Sequence, residues 1–237
     1  MKDTLRPAIL EHAQACYPKE ACGLVVALAD DTQEYIPCQN LAGATDHFVL
    51  CPHDYAAAEE RGRILAVVHS HPDAPPTPSQ ADRVACEASG LPWHIISIPQ
   101  GQWAHLMPEG YTAPLLGRMW CHGVLDCYSL IRDWYRLERG IVLPDFTRSD
   151  EWWLKNQNLY VDNFRAAGFT RIVDEDALQP GDVLLMQIMA PVPNHGAVYL
   201  GDGIILHHLH GRLSCREVWG GYYKKHTTHI LRHDYAA

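Results

Sequence analysis

The sequence contains no apolar run approaching the roughly 18 residues that a membrane span requires, and its opening stretch, MKDTLRPAILEHAQACYPKE, lacks the apolar stretch of a secretory signal. Synthesis and folding in the cytosol are therefore expected. An excess of basic charge is missing too. With 19 basic residues against 28 acidic ones the net charge is -9, and without a basic stripe a nucleic-acid footprint is excluded. Eight cysteines show no repeated C-x-x-C spacing, so neither a disulfide framework nor a four-cysteine metal site is indicated and most of them read as small buried hydrophobes. Internal repeats and low-complexity tracts are absent. What is present is ample core: an apolar fraction of 47% against 20% charged over 237 residues, enough for two compact domains of roughly 110–120 residues each.

The first half alternates between helical and strand patterns. Leu5, Ile9, Ala13 and Cys16 fall at helical spacing, and the apolar run CGLVVAL then reads as a buried strand, which leaves Glu20 at a helix-to-strand junction. HDYAAAEERG and SQADRVACEASG read as helices, the latter stopped by Gly90, while ILAVVHSH and WHIISIP read as strands. The pattern lapses in PEGYTAPLLGR, so a domain boundary is expected near Ala113, giving domains 1–112 and 113–237. Beyond it, DCYSLIRDWYRLERG is an amphipathic helix ended by Gly140, followed by strands in DVLLMQI, HGAVYLG, GIILHHL and HTTHILRH. The expected class is α+β with two domains.

Residues i and i+2 of a strand share a face, so His69 and His71 offer two imidazoles to one point. Asp82, in the first turn of the next helix, is a third ligand candidate. Two His and one Asp leave the fourth tetrahedral position that catalytic zinc keeps open, and Glu20 is placed to take a proton from water there. Each piece has a plain structural reading as well, since Ser79-x-x-Asp82 is also a helix capping box. In the second half Cys127 follows the N-cap residue Asp126, and helix N-termini favour thiolate, so a depressed thiol pKa is expected. His195 and His207 are the base and orienter candidates. They share a face only if residue 197 pairs with 207, which demands a Gly201-Asp202-Gly203 loop or a bulge; an Asp202-Gly203 turn alone would pair 207 with 198. His208 and His210, on the other face, are expected to be solvated.

Taken together, Glu20 in YPKEACGLV and the run HSHPDAPPTPSQAD resemble the JAMM motif of the JAB/MPN metalloprotease family, over roughly residues 1–110. The resemblance implies one catalytic Zn2+ held by His69, His71 and Asp82, with Glu20 as general base and Ser79 helping to stabilise the oxyanion. VLDCYSLI, LQPGDVLLM and NHGAVYLGDGIILHH resemble the blocks of NlpC-type cysteine peptidases, which implies a papain-like α+β fold after the JAB/MPN-like mixed α/β fold. It assigns Cys127 as nucleophile, His195 as base and His207 as third polar residue. The upstream tyrosine of many members has no counterpart here, leaving the oxyanion partner open between Trp120 and His122. The two families in this order resemble the tail tip assembly proteins of lambda-like phages. That implies other tail tip proteins as partners, peptidoglycan peptide as substrate, and a location in the host cytoplasm or the virion tail tip. Two competing expectations are an assembly factor with vestigial peptidase sites and a bacterial JAMM protease acting on ubiquitin-like modifiers.

Overall fold

The computed structural model describes residues 1–235, and the chain divides into two compact units, Met1–Thr112 and a second that begins at Ala113. The first runs α1 (Arg6–Cys16), β1 (Cys22–Ala27), β2 (Gln33–Cys38), α2 (Pro52–Arg61), β3 (Arg63–Pro72), α3 (Gln80–Ser89), β4 (Trp93–Ile98) and β5 (Trp103–Leu106). Its sheet has the order β2-β1-β3-β4-β5. Only β3 and β4 pair in parallel, as they must when α3 carries the chain back between them. Every residue of β1 is buried, because alternate side chains enter different cores. Cys22, Leu24 and Val26 pack with Ala58 of α2 and Cys86 of α3, while Val25 packs with Ile9 and Ala13 of α1. Helices on both faces thus explain why this strand is a continuous apolar run rather than an alternating one.

The second unit runs α4 (Cys127–Arg139), α5 (Leu159–Asn163), β6 (Phe169–Ile172), β7 (Val183–Met186), β8 (His195–Gly201), β9 (Ile204–His207), β10 (Cys215–Val218), α6 (Gly221–His226) and β11 (Thr227–His233). A six-stranded antiparallel sheet has the order β10-β9-β8-β7-β11-β6. The four strands expected from sequence are present, and β6 and β10 extend the sheet at its two edges. Ile131 and Leu130 of α4 are fully buried, and the helix approaches β8 at Gly196, where an added Cβ would meet Ile131 Cδ1 at 2.8 Å. Glycine allows this close approach, and a larger residue would have to displace the tip of Ile131. No helix among the described residues is long and apolar enough to cross a membrane.

One pH response follows from the first sheet alone. His94 of β4 pairs directly with His105 of β5, ring centroids 4.7 Å apart, and burial followed by the His105 charge lowers its pKa to about 4. The unfolded chain takes up this proton near pH 6.5 and the folded chain only near 4, so the contribution is fully present above 6.5 and is lost as pH falls toward 4. At a half-exposed site solvent screening limits the effect to about 1 kcal/mol. Urea unfolding at pH 7 and pH 5 should show a smaller acid loss in His94→Gln than in wild type.

Candidate active sites

In the first unit the HSH segment ends β3, with His69 and His71 on one face. Asp82 is the third residue of α3, which starts from Ser79 as N-cap. Ser79 Oγ accepts from the Asp82 N–H at 3.1 Å and Asp82 Oδ2 accepts from the Ser79 N–H at 2.7 Å. The capping box and the ligand set therefore share Asp82, since the cap fixes the carboxylate that the histidines meet. His69 Nε2 lies 3.2 Å from Asp82 Oδ1 and 3.1 Å from His71 Nε2, and His71 Nε2 lies 3.4 Å from Asp82 Oδ2. Tetrahedral zinc with bonds of about 2.0–2.1 Å spaces its N and O ligands roughly 3.3 Å apart, so this donor set fits the ion. His71 Nδ1 donates to Pro75 O at 2.9 Å, which leaves the Nε2 lone pair facing inward as a ligand needs. His69 Nδ1 is buried without a hydrogen-bond partner.

Burial opposes ionisation of Asp82, but hydrogen bonds from His69 and His71 prevail and hold its carboxyl well below the usual range. Burial pushes the Glu20 carboxyl up to about 8, with the His71 charge opposing. Glu20 is placed by its neighbour: Ser70, fully buried between the two histidines, takes the Ala21 N–H on Oγ at 2.8 Å and donates its own N–H to Ala21 O at 3.0 Å. Asn40 Nδ2 donates to Glu20 O at 3.0 Å. Sequence reasoning passed over Ser70 because it stands between two conspicuous histidines.

In the second unit, Cys127 opens α4 behind its Asp126 N-cap, whose Oδ1 accepts from the Ser129 N–H at 2.8 Å. The expected depression of the thiol pKa is reversed. Complete burial, then the Asp126 charge, pushes the Cys127 pKa up to about 11, because a helix N-terminus favours thiolate only where desolvation does not outweigh it. Tyr160 of α5 lies with its hydroxyl 3.0 Å from Cys127 Sγ, and the Gly196 N–H also reaches the sulfur. A tyrosine hydroxyl thus meets the sulfur from a residue downstream of the cysteine. Trp120 and His122, left open above, line the cleft of about 490 Å³ into which Cys127 and His195 open.

The histidine register meets its condition. Ala197 pairs with His207, and a register shift between Tyr199 and Gly201 absorbs one residue before the Asp202-Gly203 turn. Gly201, Asp202 and Gly203 all have positive φ, as a primed turn with an adjoining bulge requires. His195 Nε2 thus lies 3.1 Å from His207 Nδ1, and His207 Nε2 lies 3.3 Å from Glu217 Oε2 of β10. An ionised carboxylate only accepts. His207 therefore carries its proton on Nε2 and accepts the His195 Nε2–H on Nδ1, which leaves the lone pair of His195 on Nδ1. Burial, then the His207 charge, lowers the His195 pKa to about 3, so the resting pair is neutral thiol and neutral imidazole. Glu217 had no sequence signal, as its role exists only through the β9–β10 pairing. His208 corrects an expectation: it is fully buried, with Trp120 packed edge-on at 5.2 Å and Nε2 meeting Arg212 O at 3.1 Å. His210 is exposed as expected.

Residues 3–107 match the family described as prokaryotic homologs of the JAB domain, and residues 116–232 match the NlpC/P60 family. The tail tip assembly protein K of Escherichia phage N15 is 42% identical over 236 residues, covering 98% of this chain and 96% of that one. Its counterpart from Escherichia phage lambda is 44% identical over 184 residues, 78% of this chain and 89% of that one. Among solved structures, a JAB1/MPN domain protein from Archaeoglobus fulgidus is 23% identical, covering 45% of this chain and 86% of that one, with a TM-score of 0.33.

Proposed function

The chain belongs to the family of the phage tail tip assembly K proteins, and on that premise we propose that it serves tail tip assembly with two working hydrolytic centres. The second unit cuts peptide crosslinks of peptidoglycan, and the first is a zinc-dependent peptidase or isopeptidase. Its partners are other tail tip proteins, in the host cytoplasm during assembly and at the virion tail tip. The observation that carries this reading is the run of contacts His195, His207, Glu217, with His195 and Cys127 both opening into one cleft and Tyr160 on the sulfur.

Cys127 Sγ attacks the scissile carbonyl carbon as its proton passes to His195 Nδ1, which is free because His207 holds the other nitrogen. The carbonyl π pair moves onto oxygen, and the Tyr160 hydroxyl is the side-chain donor beside that oxyanion. His195 then protonates the leaving amine, and a water activated by His195 hydrolyses the thioester. In the first unit His69, His71 and Asp82 would hold zinc, which when bound would supply Lewis acidity toward a carbonyl oxygen and toward water. Glu20 receives the proton of the attacking water, and Ser79 Oγ, which accepts from the Asp82 N–H, keeps its own hydroxyl proton for the developing oxyanion.

Digestion of purified peptidoglycan by the full chain, with released fragments identified by mass spectrometry, tests the cysteine centre. Fragments cut within the stem peptides are expected from wild type; folded wild type that releases none leaves an assembly role without hydrolysis. The metal centre has its own readout. Zn2+ added to the chelator-treated chain should raise the stability of the first unit by about 2.7 kcal/mol at a hundredfold excess over Kd. His71→Ala should show no such rise in calorimetry.

A further inference from the structure

A second ligand set lies outside the JAB-like unit. His207 Nε2, Cys215 Sγ and a Glu217 carboxylate oxygen all lie within 4.8 Å of one another. Cys215 is a free thiol that pairs directly with His207 across β9 and β10, and Glu217, two residues on, shares its face. His207 Nε2 lies 3.3 Å from Glu217 Oε2 and 3.7 Å from Cys215 Sγ. Tetrahedral zinc, with bonds of about 2.0–2.1 Å to nitrogen and 2.3 Å to sulfur, sets N–O near 3.3 Å and N–S near 3.6 Å. Outer contacts of the kind that orient ligands are in place: the other His207 nitrogen meets His195, and the Tyr223 hydroxyl bonds Glu217. Arg212 approaches only the other oxygen, Oε1, at 3.8 Å, from a side chain 61% exposed. His207 is buried while Cys215 and Glu217 are half-buried, which leaves a way in from solvent.

We propose that His207, Cys215 and Glu217 form a second site, for a thiophilic divalent cation such as Zn2+, and that its occupancy switches off the Cys127 centre. The switch is a matter of tautomers. A cation on His207 Nε2 moves that ring's proton to Nδ1, where it donates to His195 Nε2. His195 then carries its own proton on Nδ1 and has no lone pair to offer Cys127. Each imidazole keeps one proton, and the Cys215 thiol releases one to solvent as its sulfur becomes a ligand.

The cation half of this proposal is independent of the peptidase reading, while the switch half rests on it, so two measurements are needed. In the first, Co2+ is titrated into the full chain and thiolate-to-cobalt charge-transfer absorption is followed in the near ultraviolet. The His69, His71 and Asp82 site has no sulfur and is silent in this band. Wild type, His71→Ala and Cys127→Ala should all show the band, Cys215→Ser should lose it, and Glu217→Gln should need at least about tenfold more Co2+. Absence of the band in wild type, or its survival in Cys215→Ser, overturns the site. In the second, peptide cleavage is compared with and without added Zn2+ within each protein. Wild type should be inhibited and recover on chelation, whereas Cys215→Ser should respond at least tenfold less. Equal inhibition of both proteins overturns the switch and leaves the site standing on the cobalt band.

Discussion

A Cys127→Ala chain is expected to lose peptidoglycan stem-peptide cleavage by a factor of at least about 10³ while remaining folded. The side chain is 3% exposed and gives up a single sulfur, so the cavity penalty is about 1 kcal/mol, too little to unfold the unit. The activity loss is far larger because no other group can form the covalent intermediate that divides the reaction into two easier steps. Tyr160→Phe separates the roles around the sulfur. With the Tyr160 hydroxyl 3.0 Å from the sulfur and proposed as oxyanion donor, its loss should lower kcat by roughly 10²–10³-fold with little change in KM, as for other oxyanion donors. A drop confined to KM would make Tyr160 a wall of the cleft. Full cleavage by Cys127→Ala would move the chemistry to the metal centre, where Glu20→Gln would then have to abolish it. At rest the thiol is neutral, so its nucleophilicity arises only when His195 accepts the proton during attack. The proposed switch acts at that same transfer.

The metal half of the chain was the more legible because its geometry is local. Two residues of strand period present His69 and His71 together, and a capping box presents Asp82 one loop later, so short-range rules reach most of the site. Ser70 escaped because its work, clamping Ala21 and so placing Glu20, depends on which strand lies beside β3. The cysteine half depends on pairings that periodicity leaves undecided. The His195–His207 register could be reduced to a condition on one turn, and the bulge between Tyr199 and Gly201 satisfies it. Tyr160 lies 33 residues beyond Cys127 in the chain, in a five-residue helix, and nothing near the cysteine announces it. The thiol pKa went the other way for a physical reason: a helix terminus is a local feature and total burial is not. His208 illustrates the same limit, since alternation assigns a side chain to a face of β9 without saying that Trp120 covers that face.

Burial of charge also sets the largest expected stability effect, at the pair beneath the nucleophile. Asp126 and Arg148 have side chains only 3% and 4% exposed, joined by Nε to Oδ2 at 2.8 Å. The guanidinium further donates to Phe146 O at 2.7 Å, Gly123 O at 3.1 Å and Asp145 Oδ1 at 2.9 Å. The carboxylate meanwhile accepts the N–H groups of Ser129 and Gly123. Burial opposes ionisation of Asp126, but Arg148 and the Ser129 N–H prevail and hold its pKa below the usual value. Arg148→Met would leave that carboxylate buried and uncompensated, a loss of about 3–5 kcal/mol and roughly 10–20 °C in the Tm of the second unit. Lysine restores little, having one point charge in place of a fork that serves five acceptors, Ser129 Oγ at 3.3 Å included. The penalty carries its own signature in pH. Without Arg148 the folded-state pKa of Asp126 rises above the unfolded value near 3.9, so the destabilisation is full at neutral pH and shrinks as pH falls toward 4. Adding Asp126→Asn to Arg148→Met should return part of the lost stability at pH 7 and almost none at pH 4. Equal recovery at both would mean that Arg148 stabilises by packing against Tyr128, over whose ring it lies at 5.1 Å, and not by charge.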